Sequence, residues 1–131
     1  MSLPDALTAL AVGARGTQVT RQVHGSPCQL PPQASLAVYR TAQEALANVR
    51  KHAPGAPVTM TLSFGERQVV LNVANGPPPG CADDHPAGSL AATGGGYGLD
   101  GLTERAELLG GTLRAGPDQH GGWTVELRMP S

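Results

Sequence analysis

Aromatic residues are nearly missing from this chain, with one Trp, two Tyr and one Phe among 131 residues. A core therefore has to be built from Leu, Val and Ala, and there is no ladder of rings on which successive bases could stack. Charge of one sign is also lacking. Nine Lys and Arg against ten Asp and Glu leave a net charge of −1, without a basic tract, which argues against nucleic acid as a main partner. The cluster Arg50-Lys51-His52 is too short to reverse that. No run approaches the ~18 apolar residues of a membrane span, and the start, MSLPDALTAL, lacks the charged-then-apolar plan of a signal peptide. The two cysteines, Cys28 and Cys81, lie far apart without C-x-x-C spacing and read as free thiols in a reducing cytoplasm. Neither Gly-Lys-Ser nor Gly-Lys-Thr occurs, so there is no Walker phosphate loop. The length fits a single domain spanning residues 1–131.

What the chain does have is concentrated in RTAQEALANVRKHA, from Arg40 to Ala53. As a helix this segment puts Arg40, Glu44, Asn48 and Lys51 on one stripe, expected to face away from the core. Val38, Ala42, Ala45 and Val49 form an apolar stripe, with Leu46 beside it. A merely solvated face would mix Lys with Glu and would have little use for Asn, a poor helix former. An Asn oxygen suits a hard cation such as Mg2+, which keeps several waters and takes few protein ligands. Lys51 and His52, one turn further on, can meet phosphate oxygens; His52 at a helix end also suits the dipole.

About fifty residues later a glycine-rich turn, from Gly94 to Gly98, runs straight into LDGLTERAELLGG. Leu99, Leu102, Ala106 and Leu109 recur there at helical spacing, and Gly110-Gly111 ends the helix. Glycines allow a backbone to approach an anion, and the helix start offers free N–H groups and a positive dipole end. Gly96, Gly98 and Gly101 match G-x-G-x-x-G, but the apolar strand that a dinucleotide fingerprint requires does not precede them.

Together these segments resemble the ATP-binding domain of sensor histidine kinases, in the superfamily that includes gyrase and heat-shock chaperone ATPases. EALANVRKH, from Glu44 to His52, is similar to the asparagine helix motif E-A-L-x-N-x-x-K-H of the nitrate-sensor and desaturase-sensor type. GYGLDGLTER, from Gly96 to Arg105, resembles the second glycine motif G-x-G-L-x-G-x-x-E-R, and GGWTV followed by Met129-Pro130 resembles the closing strand. One motif departs. Where the family has V-x-D-x-G-x-G, this chain has Val73-Ala74-Asn75-Gly76-Pro77-Pro78-Pro79, with Asn75 in place of the adenine-binding Asp. An amide oxygen still accepts from the adenine amino group, but more weakly than a carboxylate.

The resemblance implies a Bergerat-type fold: an α/β two-layer sandwich, with a mixed sheet of about five strands and about three helices on one face. It implies ATP and Mg2+ as cofactors, with Asn48 as the metal ligand. The ATP site it implies comprises Asn48, Lys51, His52, Asn75, Gly76, Gly96, Tyr97, Gly98, Leu99, Gly101 and Thr124. Glu44 matches a general base of related ATPases. In kinases of this type the acid–base group lies beside the phosphorylated histidine, so Glu44 belongs to the site first and to catalysis second. The implied activity is histidine autophosphorylation in two-component signalling. The partners would be a phosphoacceptor (dimerisation) domain and, indirectly, a response regulator. No two-helix hairpin with a His-Asp or His-Glu motif precedes Leu3, so the chain reads as the catalytic part of a larger kinase, not membrane-inserted in itself. An anti-sigma factor serine kinase and a binding module that has lost ATP are the alternatives.

Residue patterns place a helix at 5–12 capped by Asp5, a strand at 17–23, a loop at 25–32 and a long helix from Pro32 to His52. Strands at 58–64 and 68–74 form a hairpin, and strands at 112–115 and 123–129 a second one around Pro117-Asp118. Residues 76–96 form a proline- and glycine-rich loop joining two motifs that would touch one nucleotide, as a lid does. Asp83, Asp84 and His85 within it read as solvated polarity rather than a metal site. His24 and His120 read as exposed turn residues.

Overall fold

The computed structural model describes residues 2–14, 17–77, 97–117 and 121–130. In chain order they form α1 (Leu3–Gly13), β1 (Val19–His24), α2 (Pro32–His52), β2 (Val58–Phe64), β3 (Gln68–Asn75), α3 (Tyr97–Leu108), β4 (Thr112–Pro117) and β5 (Trp123–Pro130). The five strands make one sheet in the order β1-β2-β3-β5-β4. β1 runs parallel to β2 and every other pair is antiparallel. A parallel pair needs a crossover, and α2 supplies it. The mixed two-layer sandwich expected from the resemblance is the one observed.

Strand alternation explains why the core is one-sided. Val58, Met60, Leu62 and Phe64 of β2, Val69, Leu71 and Val73 of β3, and Val125, Leu127 and Met129 of β5 are buried, while the residues that alternate with them are not. Against this face lie the helices side by side, α1 over β1, α2 over β3 and β5, and α3 over β4. α2 brings Ala34, Ala37, Val38, Ala42, Ala45, Leu46 and Val49 into the core, so the apolar stripe predicted for it is its packing face. Small side chains on α2 let the helix sit close to the sheet, which suits a core with almost no rings.

The boundaries have local causes. α1 begins at Leu3 rather than residue 5, and its cap is Ser2, whose Oγ accepts from the Asp5 amide at 3.3 Å; Asp5 sits in the first turn instead, where its charge suits the dipole. Pro32 opens α2 where a missing N–H costs nothing. Arg50, Lys51 and His52 occupy its last turn, and the Ala53 amide closes on Val49 O at 2.8 Å. α3 ends where Gly110 takes φ +86° and Gly111 N–H reaches back to Ala106 O at 2.7 Å. Gly111 is needed for a second reason: a Cβ there would collide with the Arg128 carbonyl and Met129 Sδ of β5. β4 extends to Pro117, which pairs with Trp123. Residues 78–96, the body of the expected lid, lie outside the described residues, as do Cys81, Asp83, Asp84, His85 and His120; Cys28 and His24 are exposed.

Candidate functional site

The cleft forms where the C-terminal half of α2 crosses the ends of β3 and β5. Asn75 is the last residue of β3 and Trp123 the first of β5, and the two are direct cross-strand partners. Opposite them stands Asn48 on α2. Ala45, Val49 and Ala53 continue the helix wall, and Val73 and Val125 form the sheet wall. Among the described residues the cleft is narrow, with a cavity volume of about 10 Å³. Among the described residues its polar side chains are the carboxamides of Asn48 and Asn75 and the indole of Trp123, and none of them is charged.

Asn48 is only 8% exposed, so the stripe read from the sequence does not face uniformly away from the core. Arg40 and Lys51 are exposed and Glu44 is half-buried, whereas Asn48 turns inward beside Ala45 and Val49. The reason is angular: at about 100° per residue position 48 lies between the two stripes, and the sheet ends beneath it. Asn75 is 6% exposed, and its Nδ2 donates to the Gly76 carbonyl oxygen at 2.9 Å. Gly76 in turn donates its N–H to Pro57 O at 3.0 Å, so its backbone is held in place by β2's leading segment.

The remaining expected site residues divide. Lys51 and half-buried His52 crown the end of α2, one turn beyond Asn48. Gly96 lies outside the described residues, and Tyr97 and Gly98 begin α3. Leu99 is 4% exposed and packs into the core, so its side chain is structural. Gly101 is exposed and lines a separate groove between α2 and α3, with Arg40 and Arg105 on its walls. Thr124 does not reach the cleft. It pairs with Ala74 on the sheet face opposite the helices, and the side chain that β5 turns into the cleft is Trp123. The motif alone does not fix strand parity; the register with Asn75 does.

Among the described residues no three His, Cys, Asp or Glu side chains converge to cage a metal. An Mg2+ carried by ATP needs no such cage, since phosphate oxygens and waters fill most of its octahedron and one amide oxygen suffices from the protein. The donor set at Asn48 fits that demand.

A one-sided sheet whose long crossover helix closes a cleft over two strand ends defines the class of ATPase-type nucleotide domains. Residues 33–131 match the family described as Histidine kinase-, DNA gyrase B-, and HSP90-like ATPase, and the chain belongs to that family as an ATP-binding domain of the histidine kinase type. It is 33% identical over 100 residues to the sensor histidine kinase YxjM of Bacillus subtilis, covering 76% of this chain and 22% of that protein. It is 30% identical over 115 residues to the oxygen sensor histidine kinase NreB of Staphylococcus carnosus, covering 88% and 31%. The chain thus spans about a quarter to a third of these relatives. The catalytic domain of histidine kinase ThkA has the same fold, with a TM-score of 0.71 at 12% identity over 99% of this chain and 92% of that one. No helix among the described residues is long and apolar enough to cross a membrane.

Proposed function

We propose that this domain binds ATP with Mg2+ and presents the γ-phosphate to a histidine on a phosphoacceptor domain, as a step in two-component signalling. The observation that carries the reading is the convergence of Asn48 and Asn75, far apart in the chain, on the two walls of one cleft. Asn75 accepts from the base at the sheet end. Asn48 gives its amide oxygen to the metal at the helix end. Lys51 and His52 lie beyond it, where phosphate oxygens would follow, and α3 begins with the N–H groups and positive dipole end that suit the same anion.

Phosphoryl transfer needs little covalent chemistry from the protein. The γ-phosphoryl group passes in line from the ADP oxygen to a histidine ring nitrogen, and the protein aligns the two and offsets the charge. Glu44, one turn before Asn48 and half-buried, would serve as a proton acceptor at the site and not as the phosphoryl acceptor. The histidine would come from a separate domain, with a response regulator downstream of it.

A thermal-shift scan with ATP and ADP, with and without Mg2+, tests the reading. Ligand at about a hundred times its dissociation constant adds ~2.7 kcal/mol to the native state, a rise of several degrees for a domain of this size. The rise should be larger with Mg2+. No shift at millimolar nucleotide under either condition would remove ATP from the account. If ATP does bind, phosphate from labelled ATP should appear on a histidine once the phosphoacceptor domain is joined to this chain.

A further inference from the structure

A second cavity, far wider than the cleft, lies between α2 and α3 and holds about 510 Å³. Leu36 and Ala37 from α2 and Leu102 from α3 give it an apolar lining. Leu36 is 50% exposed, so a partner seated there would take apolar surface out of water. Gly101 keeps the α3 side open, since a Cβ at that position would meet nothing within 4 Å. One arginine stands on each helix, Arg40 on α2 and Arg105 on α3, and none of the described lining residues is acidic. Neither guanidinium makes an ion pair or a side-chain hydrogen bond among the described residues.

The groove begins where the proposed triphosphate site ends. On α2 it starts at Arg40, one turn before Glu44 and about 12 Å along the axis from Asn48. On α3 it starts at Gly101, one turn after the helix begins. In-line transfer requires the accepting nitrogen to reach the γ-phosphorus from the side away from ADP, at about 3–3.5 Å. The segment that carries this nitrogen must therefore rest on the surface beside the phosphates, and the groove is a recess in that surface. From Gln33 to Arg40 it runs about 10 Å along α2, room for two turns of a helix laid against it. A helix in such a groove needs apolar anchors one turn apart to meet Leu36 and Leu102. The two arginines need carboxylates on its flanks. A small anion would answer the arginines and leave Leu36 in water. An apolar helix without carboxylates would desolvate two unpaired guanidinium groups.

We infer that the groove between α2 and α3 docks the phosphoacceptor domain, through a helix that carries Asp or Glu beside a short apolar stripe. The inference rests on the phosphotransfer reading above and adds to it a surface and the charge of the partner. Arg40 and Arg105 are then positioning residues, which hold the partner and touch no reacting atom.

The test titrates the phosphoacceptor domain of the parent kinase into this chain by calorimetry, without nucleotide. Arg40→Ala and Arg105→Ala should each weaken binding about two- to fivefold, as for a partly exposed ion pair. Arg40→Glu combined with Arg105→Glu should weaken it about tenfold or more at low salt, because attraction becomes repulsion. That loss should shrink at about 1 M salt, where charges are screened within ~3 Å. Leu36→Ser should weaken binding alike at both salt concentrations. Affinity for ATP should stay within about twofold in every variant, since the groove lies apart from the cleft. In the joined kinase, where linkage raises the effective concentration, histidine phosphorylation should fall in step with docking. A lysine in place of the partner's facing carboxylate should restore it in the double glutamate variant. Docking or phosphorylation unchanged by the double reversal overturns the inference. So does ATP affinity that falls in step with docking, because the arginines would then belong to the nucleotide. Self-association of this chain that the reversal abolishes would give the groove to a second copy and overturn it too. Docking that follows the arginines while no nucleotide binds keeps the groove and removes the ATP reading.

Discussion

Replacing Asn48 by alanine should separate the proposed metal contact from folding. Asn48 is 8% exposed, so removing its amide costs at most about one buried hydrogen bond, about 0.5–1.5 kcal/mol. Alanine is the better residue in a helix interior, by roughly 0.5–0.7 kcal/mol, and recovers part of that. The net change is therefore about 1 kcal/mol or less, a fall of no more than about 5 °C in Tm. Binding should respond far more. An amide oxygen on a cation behaves like a hydrogen bond to a charged group, worth ~1.5–3 kcal/mol, or roughly 10- to 150-fold in affinity. That loss should fall on the Mg2+-dependent part of ATP binding alone. Calorimetry in excess Mg2+ and in EDTA measures both arms: the Asn48→Ala variant should lose most of the difference between them and keep its affinity for metal-free nucleotide within a few-fold. A variant that melts within 5 °C of the natural protein and keeps the whole Mg2+ increment would refute the reasoning.

Leu71→Ala removes a side chain with no exposure from the strand at the middle of the sheet, where it pairs with Leu62 and Leu127 on either side. It should cost about 2–5 kcal/mol, read as a lower denaturation midpoint at unchanged slope. Gly111→Ala forces a Cβ against the Arg128 carbonyl and Met129 Sδ. The expected loss is about 1–3 kcal/mol by thermal melting, and a neutral result would mean that the turn after α3 can move away from β5. Lys51→Ala alters an exposed charge. It should weaken ATP by a few-fold at low salt, weaken it less at high salt, and leave adenosine binding unchanged; an equal effect on adenosine would rule out a phosphate contact.

Much of the fold was legible because its signals are local. α2 and the two hairpins follow from apolar period, proline and glycine, and their bounds differ from the expected ones by two residues at most. Less legible were features decided by tertiary register. Periodicity put Asn48 on an outward stripe, but a residue between two stripes goes wherever the neighbouring surface has room. Thr124 carries a hydroxyl suited to a ligand, yet the pairing of Asn75 with Trp123 sends Thr124 to the far face. Thr41 is 1% exposed, and nothing in its neighbourhood announces this. Its hydroxyl donates to Ala37 O at 2.8 Å, so the helix itself satisfies the polar atom. The departure at Asn75 was visible in the letters. The partner its amide takes was not, since that depends on where the Gly76 carbonyl lies.

The sheet order has a kinetic consequence. β5 slots between β3 and β4, and α2 must cross from β1 to β2, so the three elements that wall the cleft meet only through distant closures. Such topologies fold slowly, because loop entropy is lost before the distant contacts repay it. A chain with β5 not yet in place has one wall of the cleft and holds no ligand. A ligand that needs both walls binds the native state and not a chain that lacks one of them. If β5 docks after the folding transition state, occupancy of the cleft lengthens the lifetime of the folded domain and leaves its rate of formation to the chain.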